Sequence, residues 1–128
     1  MLKKGVRELL AEAMAEVETL SVDEAQRLHG QDGVVFVDVR DALERNRGGF
    51  VPASIQAERG MLEFRIDPES PMHEPALASA ERVVFYCGSG VRSALSAKTA
   101  QDMGVANVCH LAGGFAAWVN AGGPVDRD

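Results

Sequence analysis

Val83-Val84-Phe85-Tyr86-Cys87-Gly88-Ser89-Gly90-Val91-Arg92-Ser93-Ala94-Leu95-Ser96 is the stretch on which the reading of this 128-residue chain turns. Its first four residues are β-branched or aromatic with no charge among them, the pattern of a strand buried on both faces. Gly88 and Gly90 then permit backbone angles that other residues avoid. Ser93 precedes an Ala-containing run and is predicted to N-cap a helix. The segment reads strand, tight loop, helix, with Cys87 at the carboxyl end of the strand.

That placement has chemical consequences. A short glycine loop opening a helix gathers backbone N–H groups into a nest for an anion. The helix dipole adds roughly half a positive charge, and Arg92 adds a full one. A thiol there is expected to ionise below the free value of about 8.5. A buried structural cysteine is the competing reading, but a packed core needs neither two glycines nor an arginine beside it. The loop also lacks the third glycine of a dinucleotide site and the Gly-Lys-Ser/Thr of a phosphate loop.

Composition narrows the classes. The length suits one domain with a real core. The net charge of -6 argues against non-specific nucleic-acid binding. Two cysteines make no disulfide framework, and with three scattered histidines (His29, His73, His110) they give no metal site. No metal or cofactor is expected. Low cysteine use fits a reducing cytoplasm. Arg7, Glu8 and Glu12 interrupt what would be the apolar region of a signal peptide, and no apolar run suits a membrane span.

Outward from the central stretch, the pattern alternates. Leu2, Val6, Leu9, Ala13 and Val17 recur at helical spacing, predicting an amphipathic helix over residues 1–16 whose apolar face packs on the domain formed by residues 17–128. Val17–Leu20 reads as a short strand. Ser21-Val22-Asp23-Glu24 is a capping box that starts a helix running to about His29. Val34–Val37 is a buried strand ending in Asp38-Val39-Arg40. Asp41–Arg47 reads as a short charged helix, a short strand is expected near Ile55, and Arg59–Ile66 is helical in pattern. Asp67–Pro75 carries three prolines and reads as a loop. The helix from Ser93 is expected to end near Gly104, Val105–Leu111 to form a strand, and Gly113-Gly114 to open a last helix through Val119. Strands alternating with helices predict an α/β fold, a mainly parallel central sheet with helices on both faces. Ligands of such sheets bind beyond the carboxyl ends of the strands, where Cys87 and Asp38-Val39-Arg40 both fall.

Four marks in order now resemble one family: Asp38-Val39-Arg40, Gly49-Phe50-Val51-Pro52-Ala53-Ser54, the loop Cys87 to Arg92, and Leu111-Ala112-Gly113-Gly114-Phe115-Ala116-Ala117-Trp118. Together they resemble a single-domain rhodanese, over about residues 18–125. The family often has His-Ile-Pro-Gly-Ala where this chain has Phe50 to Ser54, so a histidine and a glycine are replaced. The resemblance implies a rhodanese-like fold and sulfur transfer by double displacement. Cys87 would take the outer sulfur of an anionic donor such as thiosulfate as a persulfide, sulfite would leave, and a thiol, cyanide or a sulfur-accepting protein would receive the sulfur. Gly88, Ser89, Gly90, Val91, Arg92 and Ser93 would cradle the sulfur and donor, with Arg59 a second cation. Asp38 and Arg40 look like the family's structural pair, with Arg40 expected to bond Glu44. Cys109 and Trp118 read as core.

Two alternatives carry different chemistry. Cysteine phosphatases and arsenate reductases of the related fold place five residues between cysteine and arginine; Gly88, Ser89, Gly90 and Val91 make four here. A persulfide carrier or adapter would dock a partner, for which the N-terminal helix is the candidate surface.

Overall fold

A computed structural model of residues 1–128 gives five strands and seven α-helices. In chain order these are α1 (Val6–Glu16), β1 (Glu18–Leu20), α2 (Val22–Leu28), β2 (Val34–Asp38), α3 (Ala42–Gly48), β3 (Ile55–Gln56), α4 (Leu62–Ile66), α5 (Pro75–Ser79), β4 (Arg82–Tyr86), α6 (Val91–Asp102), β5 (Val108–Leu111) and α7 (Gly114–Asn120), with a 3-10 turn at Arg59–Met61 before α4. The sheet order is β1-β5-β4-β2-β3 and every pairing is parallel. β4 is therefore central, registered with β2 from Val34↔Arg82 to Asp38↔Tyr86 and with β5 from Val83↔Val108 to Phe85↔His110.

The side-chain alternation of a strand divides the core in two. Val83, Phe85 and Cys87 face one side, with Val37, Leu62, Ile66, Leu77, Ala97 and Ala100. Val84 and Tyr86 face the other, with Phe36, Cys109, Leu111, Phe115 and Trp118. Val83 to Tyr86 are completely buried, as their uncharged sequence predicts for a central strand. Trp118 is also completely buried, and its indole N–H donates to the Pro124 carbonyl at 2.7 Å, so its one polar atom is satisfied.

Two short helices, α2 and α3, start with capping boxes. Ser21 and Glu24 close α2 as the sequence predicts; Asp41 and Glu44 do the same for α3. Several boundaries differ from expectation. The first helix begins at Val6, so Leu2 lies outside it, and only Ala13 and Val17 of the predicted apolar face are buried, while Val6 and Leu9 are exposed. α5 begins at Pro75, the last residue of the predicted loop, where a missing N–H costs nothing in a first turn. β5 starts at Val108 rather than Val105, because Asn107 takes a left-handed φ of 54°.

Candidate active site

Cys87 directly follows β4, and its Sγ meets the start of α6. The Gly90 N–H lies 3.1 Å from Sγ and the Ser93 N–H 3.4 Å, with the Ser93 hydroxyl at 3.5 Å. Gly90, not Ser93, is the N-cap of α6; its φ of 107° suits only glycine, and it makes the turn that aims these N–H groups at sulfur. Ser93 is the third residue of the helix, so its hydroxyl is released from capping and reaches the thiol. Burial pushes the Cys87 thiol up, but hydrogen bonds from the Ser93 side chain and from the Ser93, Gly90 and Ser89 backbones outweigh it and hold the thiol below its ordinary value. The thiol is only 1% exposed, so this stabilisation comes from the protein rather than from water.

A second element locks the loop from behind. The Phe115 N–H donates to the Cys87 carbonyl at 2.7 Å and the Ala116 N–H to the Gly88 carbonyl at 3.1 Å. This approach requires Gly114: a Cβ there would stand 2.6 Å from the Cys87 carbonyl oxygen, and φ is +62°. The Gly113-Gly114 pair thus acts on the cysteine loop as well as opening α7.

Arg92 does not point freely at the site. Its guanidinium forms a two-pronged pair with Glu44 of α3, at 2.7 and 2.9 Å. The Arg92 pair, opposed by burial, brings the Glu44 carboxyl down to about 2, and the same pair raises Arg92 further. Arg40 was the expected partner of Glu44. It is buried instead against Asp38, with Nε and a terminal nitrogen 2.9 and 2.8 Å from the carboxylate, and it donates to the Gly49 carbonyl. Arg45 also reaches Asp38, at 3.1 Å, and bonds Ser54, whose hydroxyl meets the Tyr86 hydroxyl. Arg40 lies 4.4 Å over the Phe115 ring. Asp38 and Arg40 therefore form the structural pair that the sequence suggests, joining the ends of β2 and β4 to α7.

Gly88, Ser89, Gly90, Val91, Arg92 and Ser93 all lie in this one loop and helix start. Arg59 makes its contacts elsewhere, with Glu63 at 3.2 Å and the Thr99 hydroxyl at 3.3 Å. Cys109 is buried on the opposite face, and desolvation pushes its thiol up to about 11. Sequence reasoning missed Glu44 as the partner of Arg92, although the capping box Asp41-Ala42-Leu43-Glu44 marked it as fixed in place. It also passed over His110, whose Nδ1 lies 3.3 Å from the Ser93 hydroxyl; the signal was a lone histidine in an otherwise apolar strand.

Comparison with known proteins bears on the family of the chain. A Saccharomyces cerevisiae thiosulfate:glutathione sulfurtransferase is 32% identical over 117 residues, covering 86% of this chain and 84% of the yeast protein. An uncharacterized Synechocystis protein is 33% identical over 106 residues, and the chain spans 54% of its length. A solved Rhodopseudomonas palustris protein of unknown function, described as a possible tyrosine phosphatase, superimposes with a TM-score of 0.94 at 48% identity, over 98% of this chain and 97% of that one. The family model for the rhodanese-like domain matches residues 21–121, from the α2 cap to the end of α7, and the chain belongs to the rhodanese-like domain family.

Proposed function

We propose that the chain is a sulfurtransferase that carries sulfur as a persulfide on Cys87. The observation that carries this reading is the pair of backbone N–H donors, from Gly90 and Ser93, that converge on one buried sulfur, with the Ser93 hydroxyl beside it. The Cys87 thiolate attacks the outer sulfur of an anionic donor such as thiosulfate. A new S–S bond forms to Cys87, the donor's S–S bond breaks, and sulfite leaves with the electron pair. Sulfite is a good leaving group, so no strong general acid is required. A thiol, cyanide or an acceptor protein then attacks the outer persulfide sulfur and releases Cys87 as thiolate. The name of the yeast relative supports thiosulfate as donor and a small thiol as acceptor. Ser89 and Val91 are exposed, so the loop opens to solvent on its outer side.

The decisive experiment is intact mass after incubation with thiosulfate, followed by a panel of acceptors. The wild-type chain gains one sulfur atom, lost again on addition of cyanide or a thiol. Cys87→Ser abolishes the gain while leaving the fold intact, because a serine hydroxyl is far less acidic and less nucleophilic. Transfer retained in Cys87→Ser and lost in Cys109→Ser would overturn the assignment. A persulfide that forms but passes only to a protein would make the chain a carrier. Arg59 is the second cation proposed for the donor: a raised half-saturating thiosulfate concentration in Arg59→Ala keeps it there, and an unchanged value removes it.

Phosphatase chemistry is the second reading, raised by the description of the Rhodopseudomonas structure. The loop argues against it. Four residues separate Cys87 from Arg92, and the Gly90 and Ser93 N–H groups close on the sulfur itself rather than around a tetrahedral group beyond it. No useful hydrolysis of aryl phosphate is expected; a Cys87-dependent rate comparable with sulfur transfer would sink the sulfurtransferase-only reading.

A further inference from the structure

A buried histidine stands behind the sulfur site and has no part in the displacement chemistry. His110 is 2% exposed. β5 sets it in register with Phe85 of β4 and Thr19 of β1. Its Nδ1 is 3.3 Å from Ser93 Oγ, which is 3.5 Å from Cys87 Sγ; its Nε2 is 2.9 Å from Thr19 Oγ1. Thr19 is an exposed residue. An unbroken line of hydrogen-bonding groups therefore runs from an occluded thiol to the protein surface on the β1 edge of the sheet.

We propose that Ser93, His110 and Thr19 form a reversible proton path that carries the Cys87 proton to solvent, with His110 exchanging one ring tautomer for the other as the thiolate forms. In the thiol state the S–H donates to Ser93 Oγ, the Ser93 hydroxyl to Nδ1, and Nε2–H to Thr19 Oγ1. On ionisation the S–H bond breaks and its proton joins Ser93 Oγ. The former Ser93 proton moves to Nδ1, the Nε2 proton moves to Thr19 Oγ1, and the former Thr19 proton passes to water. One proton leaves, one negative charge appears on sulfur, and every hydrogen bond in the line reverses direction without being lost. Ser93 then donates to the thiolate, as the electrostatics of the site require. Each member suits the task, since hydroxyl groups and a neutral imidazole all donate and accept. No charged side chain bonds or pairs with His110, and burial holds its ring below its ordinary value. The ring thus stays neutral through the exchange and passes the proton on rather than keeping it. Cys87 is 1% exposed, and the path gives its proton an exit apart from the open side of the loop, where the donor would enter.

The inference rests on Cys87 being the reacting thiol. The test is ring-nitrogen NMR of isotope-labelled histidine in the full-length chain, followed through the Cys87 titration and again after thiosulfate loading. The Cys87 midpoint is fixed separately, by the pH dependence of alkylation in a Cys109→Ser background. Nδ1 is expected to change from an unprotonated to a protonated nitrogen, and Nε2 the reverse, at the midpoint of the Cys87 alkylation curve. Cys87→Ala is expected to hold a single tautomer across the same range. One tautomer throughout in the wild type, a change that persists in Cys87→Ala, or both nitrogens protonated together would each overturn the path. Failure to gain sulfur, with the tautomer exchange intact, would overturn the sulfur-transfer reading alone.

Discussion

Glu44 changes what Arg92 does. A free arginine beside the thiol would be a simple anion magnet, whereas a paired one is a fixed post with much of its charge already answered. Glu44→Gln should therefore lower the Cys87 pKa and reduce the thiosulfate concentration needed for half-maximal rate, since it removes a negative charge bordering the loop. Arg92→Ala should do the opposite, and more strongly than the loss of one cation implies, because it leaves the Glu44 carboxylate unpaired near Gly88. Alkylation against pH and initial rates over a thiosulfate series check both, and shifts of the same sign in the two variants would show that the pair acts on the site by geometry alone. The Arg92 pair also links Glu44 to acid stability. Its folded pKa lies below the unfolded one, so its contribution is present above the ordinary carboxylate range and is lost as pH falls toward about 2. Glu44 and Arg92 are both partly exposed, so the contribution is screened and small. A second residue-scale point is Ala53, which takes a φ of 64° where the family often has glycine. Ala53→Gly should relieve about 1 kcal/mol of left-handed strain, offset in part by a more flexible unfolded chain. The expected result is a Tm higher by about 2–4 °C; a lower Tm would show that the Ala53 methyl packs usefully.

At the scale of elements, the cysteine loop depends on two helix starts arriving together. α6 supplies the donors to sulfur, while α7 holds the carbonyls of Cys87 and Gly88 so that the loop cannot turn away. Gly114→Ala puts a methyl against the Cys87 carbonyl and demands a left-handed alanine. It should cost about 2–4 kcal/mol in chemical denaturation. It should also raise the Cys87 pKa, because the loop must shift off its donors. Normal thiol reactivity in a destabilised Gly114→Ala chain would show that α6 alone fixes the site.

The parallel sheet organises the whole molecule. All strand pairings are parallel, so Cys87, Asp38 and Arg40 lie at the same, carboxyl end of the sheet. α1 lies on α6, where Lys98 bridges Glu16 and Asp102 at 2.8 Å each. Exposed Val6 and Leu9, with Leu2 ahead of the helix, leave three of the five predicted apolar positions uncovered. No helix is long and apolar enough to cross a membrane. Alkaline stability follows from the second cysteine. Cys109 is pushed up to about 11 by burial, so the folded state holds its proton longer than the unfolded state. Stability should be complete below its ordinary range and fall by about 2–3 kcal/mol as pH rises to about 11. Cys109→Ala should flatten that decline in pH-dependent denaturation; an equally steep decline would assign it to other groups.

The sequence by itself determined the elements whose signals are local. An uncharged β-branched run made β4 a buried strand, Ser21 and Glu24 started α2, and Gly88 and Gly90 after Cys87 located the loop. Where the helix after the loop begins was already less legible, because Ser93 has the right residue type for a cap but Gly90 alone tolerates the φ of 107° that the turn needs. Contacts between distant segments were decided only by the tertiary structure. Arg40 and Arg92 compete for Asp38 and Glu44, and sequence nearness cannot settle which carboxylate each one meets. The parallel crossovers bring α3 beside α6, giving Glu44 to Arg92, while the end of β2 keeps Arg40 on Asp38. The same crossovers set β5 between β1 and β4, and so put His110 between Thr19 and Ser93, a neighbourhood no local pattern encodes.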